Sequence, residues 1–450
     1  MGRLFGTDGV RGVANVDLTS ELALQIGRAA AMVLLKESKS AKPTVLIGKD
    51  TRASGDMLEA ALTAGLCSVG CNVLSVGIVP TPAVAYLVNK YGCEAGVMIS
   101  ASHNPFEFNG IKIFSSEGYK LPDDLENRIE EIVLDHAVPY ATANDGEIGR
   151  VDTLESAVDD YINHVAEAVG EDLSGMEVAL DCSNGSSSRT AEKLFTKLGV
   201  KVHMLFDEPD GININKDCGS THTKKLQEYV RKNKLSAGLA FDGDADRCLA
   251  VDENGNLVDG DFLIAICAND MMKNGKLKKN TAVGTVMTNM GFSKFCEANG
   301  IDFVSTKVGD RYVLESMLQN GYNIGGEQSG HIIFLDHSTT GDGELSGAML
   351  LSIMKRTGEK LSDLAKIMER YPQVLINVKV SNEGKLSFYT DKEVKAEINR
   401  VTEILGDTGR ILVRVSGTEP LVRVMLEGEN LEQIQTLAEE AAQVVRERLA

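Results

Sequence analysis

Short β-branched runs alternate along this chain with longer stretches of helical periodicity, and that alternation constrains the fold more than any other feature. Thr44–Gly48, Gly96–Ile99, Met176–Asp181 and Leu235–Ala240 read as buried strands. Ser20–Leu35, Gly55–Ser68 and Thr190–Leu198 carry apolar residues at helical spacing. The pattern predicts α/β domains on mixed, largely parallel sheets, whose ligands gather at the loops that follow strand C-termini. With 450 residues, the chain is too long for a single hydrophobic core. Boundaries are expected at the turn-rich Val138–Gly149, near Glu253–Gly260 with its Asn254-Gly255-Asn256 turn, and around Tyr371-Pro372. This gives three similar α/β domains over 1–150, 151–255 and 256–369, and a smaller C-terminal α+β domain over 370–450. In the last domain Val374–Val380 alternates like a strand, and Leu431–Leu449 has the spacing of an amphipathic helix.

Composition narrows the setting. With 43% hydrophobic and 25% charged residues, this is ordinary globular usage. No apolar run reaches the roughly 18 residues of a membrane span; Leu22–Leu35 is interrupted by Gln25 and Arg28. Arg3 and Asp8 stand where a signal peptide needs an apolar core, and Gly6 stands where a myristoylation signal needs Ser or Thr, so a cytoplasmic protein is expected. A formal net charge of −19 without a basic block disfavours nucleic acid and anionic lipid as partners. The same charge repels a phosphorylated substrate unless arginines and lysines make its site locally positive. Eight scattered cysteines with no C-x-x-C pair read as buried free thiols in a reducing compartment.

Two motifs carry the chemistry. In Ser100-Ala101-Ser102-His103-Asn104-Pro105, Ser102 follows an apolar strand and is expected in an exposed loop, where Asn104 and Pro105 fix a turn. A hydroxyl held this way can carry a phosphoryl group, or can simply close an ST-turn or cap a helix. No G-x-S-x-G elbow surrounds it, which argues against an acyl-enzyme. In Asp242-Gly243-Asp244-Ala245-Asp246-Arg247, three carboxylates within five residues suit a hard cation such as Mg²⁺. An EF-hand is the rival, since Glu253 falls at its twelfth position. However, Arg247 occupies the place where that loop needs Gly, and strand-like residues flank the motif on both sides. A solvated acidic turn is the remaining alternative.

Weaker clusters suit an anionic sugar. Gly325-Gly326-Glu327-Gln328-Ser329-Gly330-His331 combines backbone freedom with hydroxyl-binding side chains, or is a plain glycine turn. Arg414-Val415-Ser416-Gly417-Thr418-Glu419-Pro420 with Arg423 has the makings of a phosphate cradle, or is a surface loop between the strands Ile411–Val415 and Leu421–Leu426. Gly6–Gly12 can bring Arg11 against a phosphate, or is a flexible leader. Lys112 lies ten residues past Ser102 and can approach the same centre. There is no Walker-A sequence, and Gly341-Asp342-Gly343 lacks the third glycine of a dinucleotide fingerprint.

With Gly6–Gly12, Ser100–Pro105, Asp242–Arg247, Gly326–Gly330 and Arg414–Pro420 in this order, the chain resembles, essentially end to end, the α-D-phosphohexomutase superfamily. Within it the bacterial phosphoglucosamine mutase family is indicated by Gln328, Pro209–Asn215 and Cys218–His222. The resemblance implies four domains around a central cleft, a phosphoserine at Ser102, and Mg²⁺ on Asp242, Asp244 and Asp246 together with the Ser102 phosphate. It implies that Glu327, Ser329 and His331 read the sugar. Arg414, Ser416, Gly417, Thr418 and Arg423 would hold the non-reacting phosphate, and Arg11, Lys112 and Arg247 would surround the transferring one. The implied reaction converts glucosamine 6-phosphate to glucosamine 1-phosphate reversibly through a sugar 1,6-bisphosphate, which also serves as activator. It feeds UDP-N-acetylglucosamine and peptidoglycan synthesis. A homodimer and, for some relatives, a diadenylate cyclase are the implied protein partners. In Val308-Gly309-Asp310-Arg311, Asp310 stands where mannose-type relatives often carry His, which leaves the hydroxyl proton without an assigned acceptor; Lys112 is the candidate. A phosphoglucomutase or phosphomannomutase, a Mg²⁺-dependent sugar phosphatase and a non-catalytic regulatory binder remain as rivals.

Overall fold

Four β-sheets organise the chain in a computed structural model that describes residues 3–6, 8–37, 40, 42–416 and 420–450. The first sheet has six strands in the order Val10–Val13, Phe108–Ser115, Ala95–Ile99, Thr44–Lys49, Asn72–Ile78 and Val151–Thr153. Its centre is parallel, and the two strands at the N-terminal edge run antiparallel. Val151–Thr153 joins this sheet, so the first domain extends past the expected boundary at 150. Helices Ser20–Glu37 and Ser54–Val69 cover one face, and their close approach requires glycine. A Cβ on Gly27 would meet the Leu62 carbonyl oxygen at 2.6 Å, and one on Gly65 would meet that of Leu24 at 2.4 Å. Ala23, Ile26, Leu58 and Leu62 then pack against Val97 and Ile99 of the central strand in one core.

The second sheet runs Leu257–Val258, Cys248–Val251, Ala237–Phe241, Glu177–Asp181 and Lys201–Leu205. Its middle strands are parallel, and Ala237–Phe241 turns back antiparallel into Cys248–Val251 through the acidic motif. Every residue of Ala237–Phe241 is buried, as expected of a strand covered on both faces. The third sheet has the order Asp302–Thr306, Thr281–Thr285, Ile324–Gly326 and Ile332–Phe334.

By compactness the chain divides into two units. One holds residues 1–285 and 304–366, and the other holds 286–303 and 367–450. The second unit contains an antiparallel sheet of Gln373–Lys379, Leu421–Gly428 and Gly409–Val415, with helices Lys392–Leu405 and Leu431–Leu449 packed against it. Asn289 explains why 286–303 belongs there. Its amide exchanges two hydrogen bonds with the backbone of Tyr371, each 3.0 Å, while Glu427 accepts from the Met290 N–H at 3.1 Å. No helix among the described residues is long and apolar enough to cross a membrane.

Candidate active site

Ser102 sits three residues past the C-terminal end of the fully buried strand Ala95–Ile99, where an α/β sheet presents its ligand loops. Its backbone is left-handed, with φ +53°, an uncommon conformation for a residue with a side chain. Contrary to the exposed loop expected from sequence, Ser102 is only 1% exposed. The acidic loop of the second sheet covers it, and Ser102 Oγ donates to Asp242 Oδ2 at 2.6 Å. The Ser102 N–H donates to Ser100 Oγ at 2.9 Å, and Ser100 Oγ donates to Asp50 Oδ2 at 2.7 Å.

Asp242, Asp244 and Asp246 converge as the spacing predicts. One oxygen from each lies within 4.8 Å of the others, and all three residues are buried. Ala245 between them is left-handed, with φ +55°, which curls the loop so that alternate side chains turn inward. Thr81 Oγ1 and Lys112 Nζ donate to Asp244 Oδ2 at 2.7 and 2.8 Å. The second oxygens, Asp244 Oδ1 and Asp246 Oδ1, are buried and have no hydrogen-bond partner. Burial, and then the neighbouring Asp246 and Asp244, push the Asp242 carboxyl well above the usual range. Three converging carboxylates, two of them with a buried oxygen that has no hydrogen-bond partner, fit Mg²⁺.

Cations from the first sheet close in on this cluster. Lys112, on the strand Phe108–Ser115, is 2% exposed and lies 2.8 Å from Asp244, 3.1 Å from Asp8 and 3.7 Å from Asp246. Burial opposes its charge, but Asp244, Asp8 and Asp246 together raise its pKa and hold it as an ammonium. Arg11, one strand over, pairs with Asp8. Arg247 Nε lies 3.7 Å from Asp246 and 4.0 Å from Asp242, and Nη1 donates to His103 Nδ1 at 3.2 Å. His103 is pushed down to about 4, by burial first and then by Arg247, so it is a neutral acceptor at pH 7.

The third sheet supplies the remaining side chains. In the turn after Ile324–Gly326, the Gly330 N–H donates to the Glu327 carbonyl and Glu327 Oε1 accepts from the Gly309 N–H at 3.1 Å. Ser329 Oγ is buried without a partner. The Gly341 N–H donates to His331 Nε2 at 3.1 Å, which assigns the ring proton to Nδ1, 3.6 Å from Asp246 Oδ2. Two residues the motifs did not single out link the sheets: Lys120 Nζ lies 2.6 Å from Asp8 and 2.5 Å from Asp310. Asp8 could have been found inside the glycine-dense N-terminal motif. Lys120 has no signal in sequence.

In the second unit Arg414 and Arg423 are directly opposed on adjacent antiparallel strands, and burial followed by Arg423 lowers the Arg414 pKa. Like charges opposed across a strand pair are unfavourable until an anion joins them. Ser416 is buried at the end of the strand, and its N–H donates to the Leu421 carbonyl at 2.8 Å. Gly417 and Thr418 lie outside the described residues.

Comparison with known proteins identifies the family. Family models for phosphoglucomutase/phosphomannomutase match residues 2–137 (alpha/beta/alpha domain I), 159–255 (domain II), 259–371 (domain III) and 375–444 (C-terminal domain). A phosphoglucosamine mutase of Acetivibrio thermocellus is 56% identical over 449 residues, covering 100% of both chains. One from Clostridium novyi is 54% identical over 448 residues, covering 100% of this chain and 99% of that one. Among solved structures, a phosphoglucomutase/phosphomannomutase family protein of Burkholderia thailandensis superposes with a TM-score of 0.82 at 23% identity, covering 99% of this chain and 98% of that one. The Aspergillus fumigatus N-acetylphosphoglucosamine mutase, solved in complex with GlcNAc-6P and magnesium, gives a TM-score of 0.71 at 18% identity, covering 99% and 96%. On full-length identity above one half and all four domain matches, the chain belongs to the phosphoglucomutase/phosphomannomutase family and, within it, to the phosphoglucosamine mutases.

Proposed function

We infer that this chain interconverts glucosamine 6-phosphate and glucosamine 1-phosphate through a phosphoserine at Ser102 and a glucosamine 1,6-bisphosphate. The observation that carries the reading is the bond from Ser102 Oγ into the carboxylate cluster, within a chain 52–56% identical to phosphoglucosamine mutases end to end. In one half-reaction the sugar O1 takes the phosphoryl group as the Oγ–P bond breaks, and the O1 proton ends on Ser102 Oγ. In the other, Ser102 Oγ takes the phosphoryl group from O6 and its proton ends on O6, leaving the 1-phosphate and restoring the phosphoserine. Asp242, Asp244 and Asp246 hold one Mg²⁺, which when bound neutralises charge on the transferring group. Arg11, Lys112 and Arg247 add fixed positive charge. Lys112, clasped by Asp244 and Asp8, serves as a cation rather than a base. Glu327, Ser329 and His331 address the sugar hydroxyls. The opposed Arg414 and Arg423, with Ser416, suit the phosphate that stays on the sugar.

The reading includes a sugar 1,6-bisphosphate as activator and a cytoplasmic setting, where all eight cysteines stay free as they are here. A ³¹P NMR time course with Mg²⁺, a trace of bisphosphate and glucosamine 6-phosphate tests it. Growth of a glucosamine 1-phosphate signal to a stable ratio is expected. Stoichiometric inorganic phosphate would make the protein a phosphatase, and turnover confined to glucose or mannose phosphates would move it to a sibling branch.

A further inference from the structure

Behind Ser102 lies a buried polar clamp that takes no part in the chemistry described above. Arg52 is completely buried, as is Asp50, whose Oδ2 accepts from Arg52 Nε at 2.9 Å. The rest of the guanidinium reaches the phosphoserine loop from below. Nη2 donates to the carbonyls of Ser102 at 2.9 Å and Asn104 at 2.8 Å, and Nη1 donates to that of Pro105 at 2.5 Å. From the second sheet, Asn215 Nδ2 donates to the same Ser102 and Asn104 carbonyls at 2.9 and 3.0 Å. Asn215 is 7% exposed, left-handed at φ +59°, and pinned by its own N–H to the Ser183 carbonyl at 2.8 Å. A Cβ on Gly243 would sit 2.5 Å from the Ser102 carbonyl oxygen, so that oxygen is enclosed from a third side.

We propose that Arg52 and Asn215 are positioning residues that set the rate of phosphoryl transfer by fixing the Ser102 carbonyl, and with it the left-handed backbone that aims Oγ at Asp242. Three features point this way. All three guanidinium nitrogens of Arg52 are engaged with Asp50 or with loop carbonyls, so it acts through the backbone rather than on a phosphate. Asp50 balances its charge and also receives Ser100 Oγ, which in turn holds the Ser102 N–H; both sides of the Ser102 peptide therefore return to one buried ion pair. Finally, a left-handed serine relaxes when its carbonyl is released, and a reacting atom displaced by about 1 Å loses roughly 100-fold in rate.

The inference rests on the mutase reading for its kinetic arm, and a structural arm stands apart from it. Full-length Arg52→Lys and Asn215→Ala are prepared with Mg²⁺ and a hexose 1,6-bisphosphate, and their phosphoserine occupancy is read by intact mass. Turnover per phosphorylated chain is expected to fall about 100-fold in Arg52→Lys and about 10-fold in Asn215→Ala, with KM for glucosamine 6-phosphate within about twofold. A merely structural role would lower the phosphorylated fraction and leave turnover per phosphorylated chain unchanged, which would overturn the proposal. If Arg52→Lys fails to fold, Asn215→Ala decides alone. Crystal structures of the variants should show Ser102 leaving its left-handed backbone and its bond to Asp242, and an unmoved loop would equally overturn it. Wild-type protein inert toward glucosamine 6-phosphate would sink the mutase reading, and the crystal structures would still judge the clamp.

Discussion

The Ser102–Asp242 region and the Arg414–Arg423 strand pair handle negative charge in opposite ways. Around Ser102, the carboxylates of Asp8, Asp242, Asp244, Asp246 and Asp310 interlock with Arg11, Lys112, Lys120 and Arg247 in a buried network. Asp244 Oδ1 and Asp246 Oδ1 are buried there without a hydrogen-bond partner, so the network still offers oxygen donors to a cation. On the C-terminal sheet, two half-buried arginines, Arg414 and Arg423, face each other across the ladder, an arrangement that suits an anion. On the proposed reading the first region holds reacting atoms still, and the second grips a phosphate group and lets it go. Preorganisation of this kind favours kcat, whereas a phosphate grip made equally in ground and transition states acts on KM.

Variants that break each side should separate these two effects. Ser102→Ala removes the proposed phosphoryl carrier, and turnover is expected to fall by about 10⁴-fold or more; residual activity above about 1% of wild type would contradict its role. Asp244→Asn removes one proposed metal oxygen and alters the partner of Lys112 and Thr81. The Mg²⁺ concentration for half-maximal activity should rise at least about 100-fold, with a circular dichroism spectrum like that of wild type. Arg423→Gln should raise KM about 10- to 100-fold, the value of a charge-assisted phosphate contact of about 1.5–3 kcal/mol. It should leave kcat nearly unchanged. A fall in kcat equal to the rise in KM would erase the distinction between the two regions.

The smallest effect is a pH dependence in the charge-dense region. Glu126 packs near Arg311 and Asp123, and burial above all pushes its carboxyl up to about 7 from an ordinary 4.5. The folded state therefore holds this proton more tightly than the unfolded chain does. The stability it contributes is full below pH 4.5 and is lost as pH rises through 7. Glu126→Gln, which cannot ionise, should match wild type in thermal melts at low pH and gain on it above pH 7. A gap independent of pH would show that the carboxyl is not held neutral.

Much of the fold could be read from sequence, because it rests on local spacing, whereas the chemistry expected of Ser102 and the three aspartates came from the resemblance that the ordered motifs carry. The all-buried strand Ala95–Ile99 leading into Ser102, and the strand pair that flanks Asp242–Arg247, follow from short apolar runs on either side of turn residues. The domain limits were less legible. Val151–Thr153 is an exposed three-residue strand without an apolar signature, and only its pairing with Asn72–Ile78 assigns it to the first sheet. Helix Met290–Asn299 belongs with the C-terminal unit through Asn289 and Glu427, residues 138 apart in sequence. The burial of Ser102, the Lys120 bridge and the Arg52–Asn215 clamp were likewise out of reach. Each depends on side chains from different sheets meeting, and no local period records that.

The central claim is that Ser102 carries the phosphoryl group that moves between the sugar oxygens. It is tested most directly by a rapid-quench single turnover of protein labelled with ³²P at Ser102, mixed with Mg²⁺ and unlabelled glucosamine 6-phosphate. The label should leave the protein as product forms, passing first into the 1,6-bisphosphate and then into the monophosphate pool. Label that stays on the protein while glucosamine 1-phosphate accumulates, or that leaves as inorganic phosphate, would contradict the account.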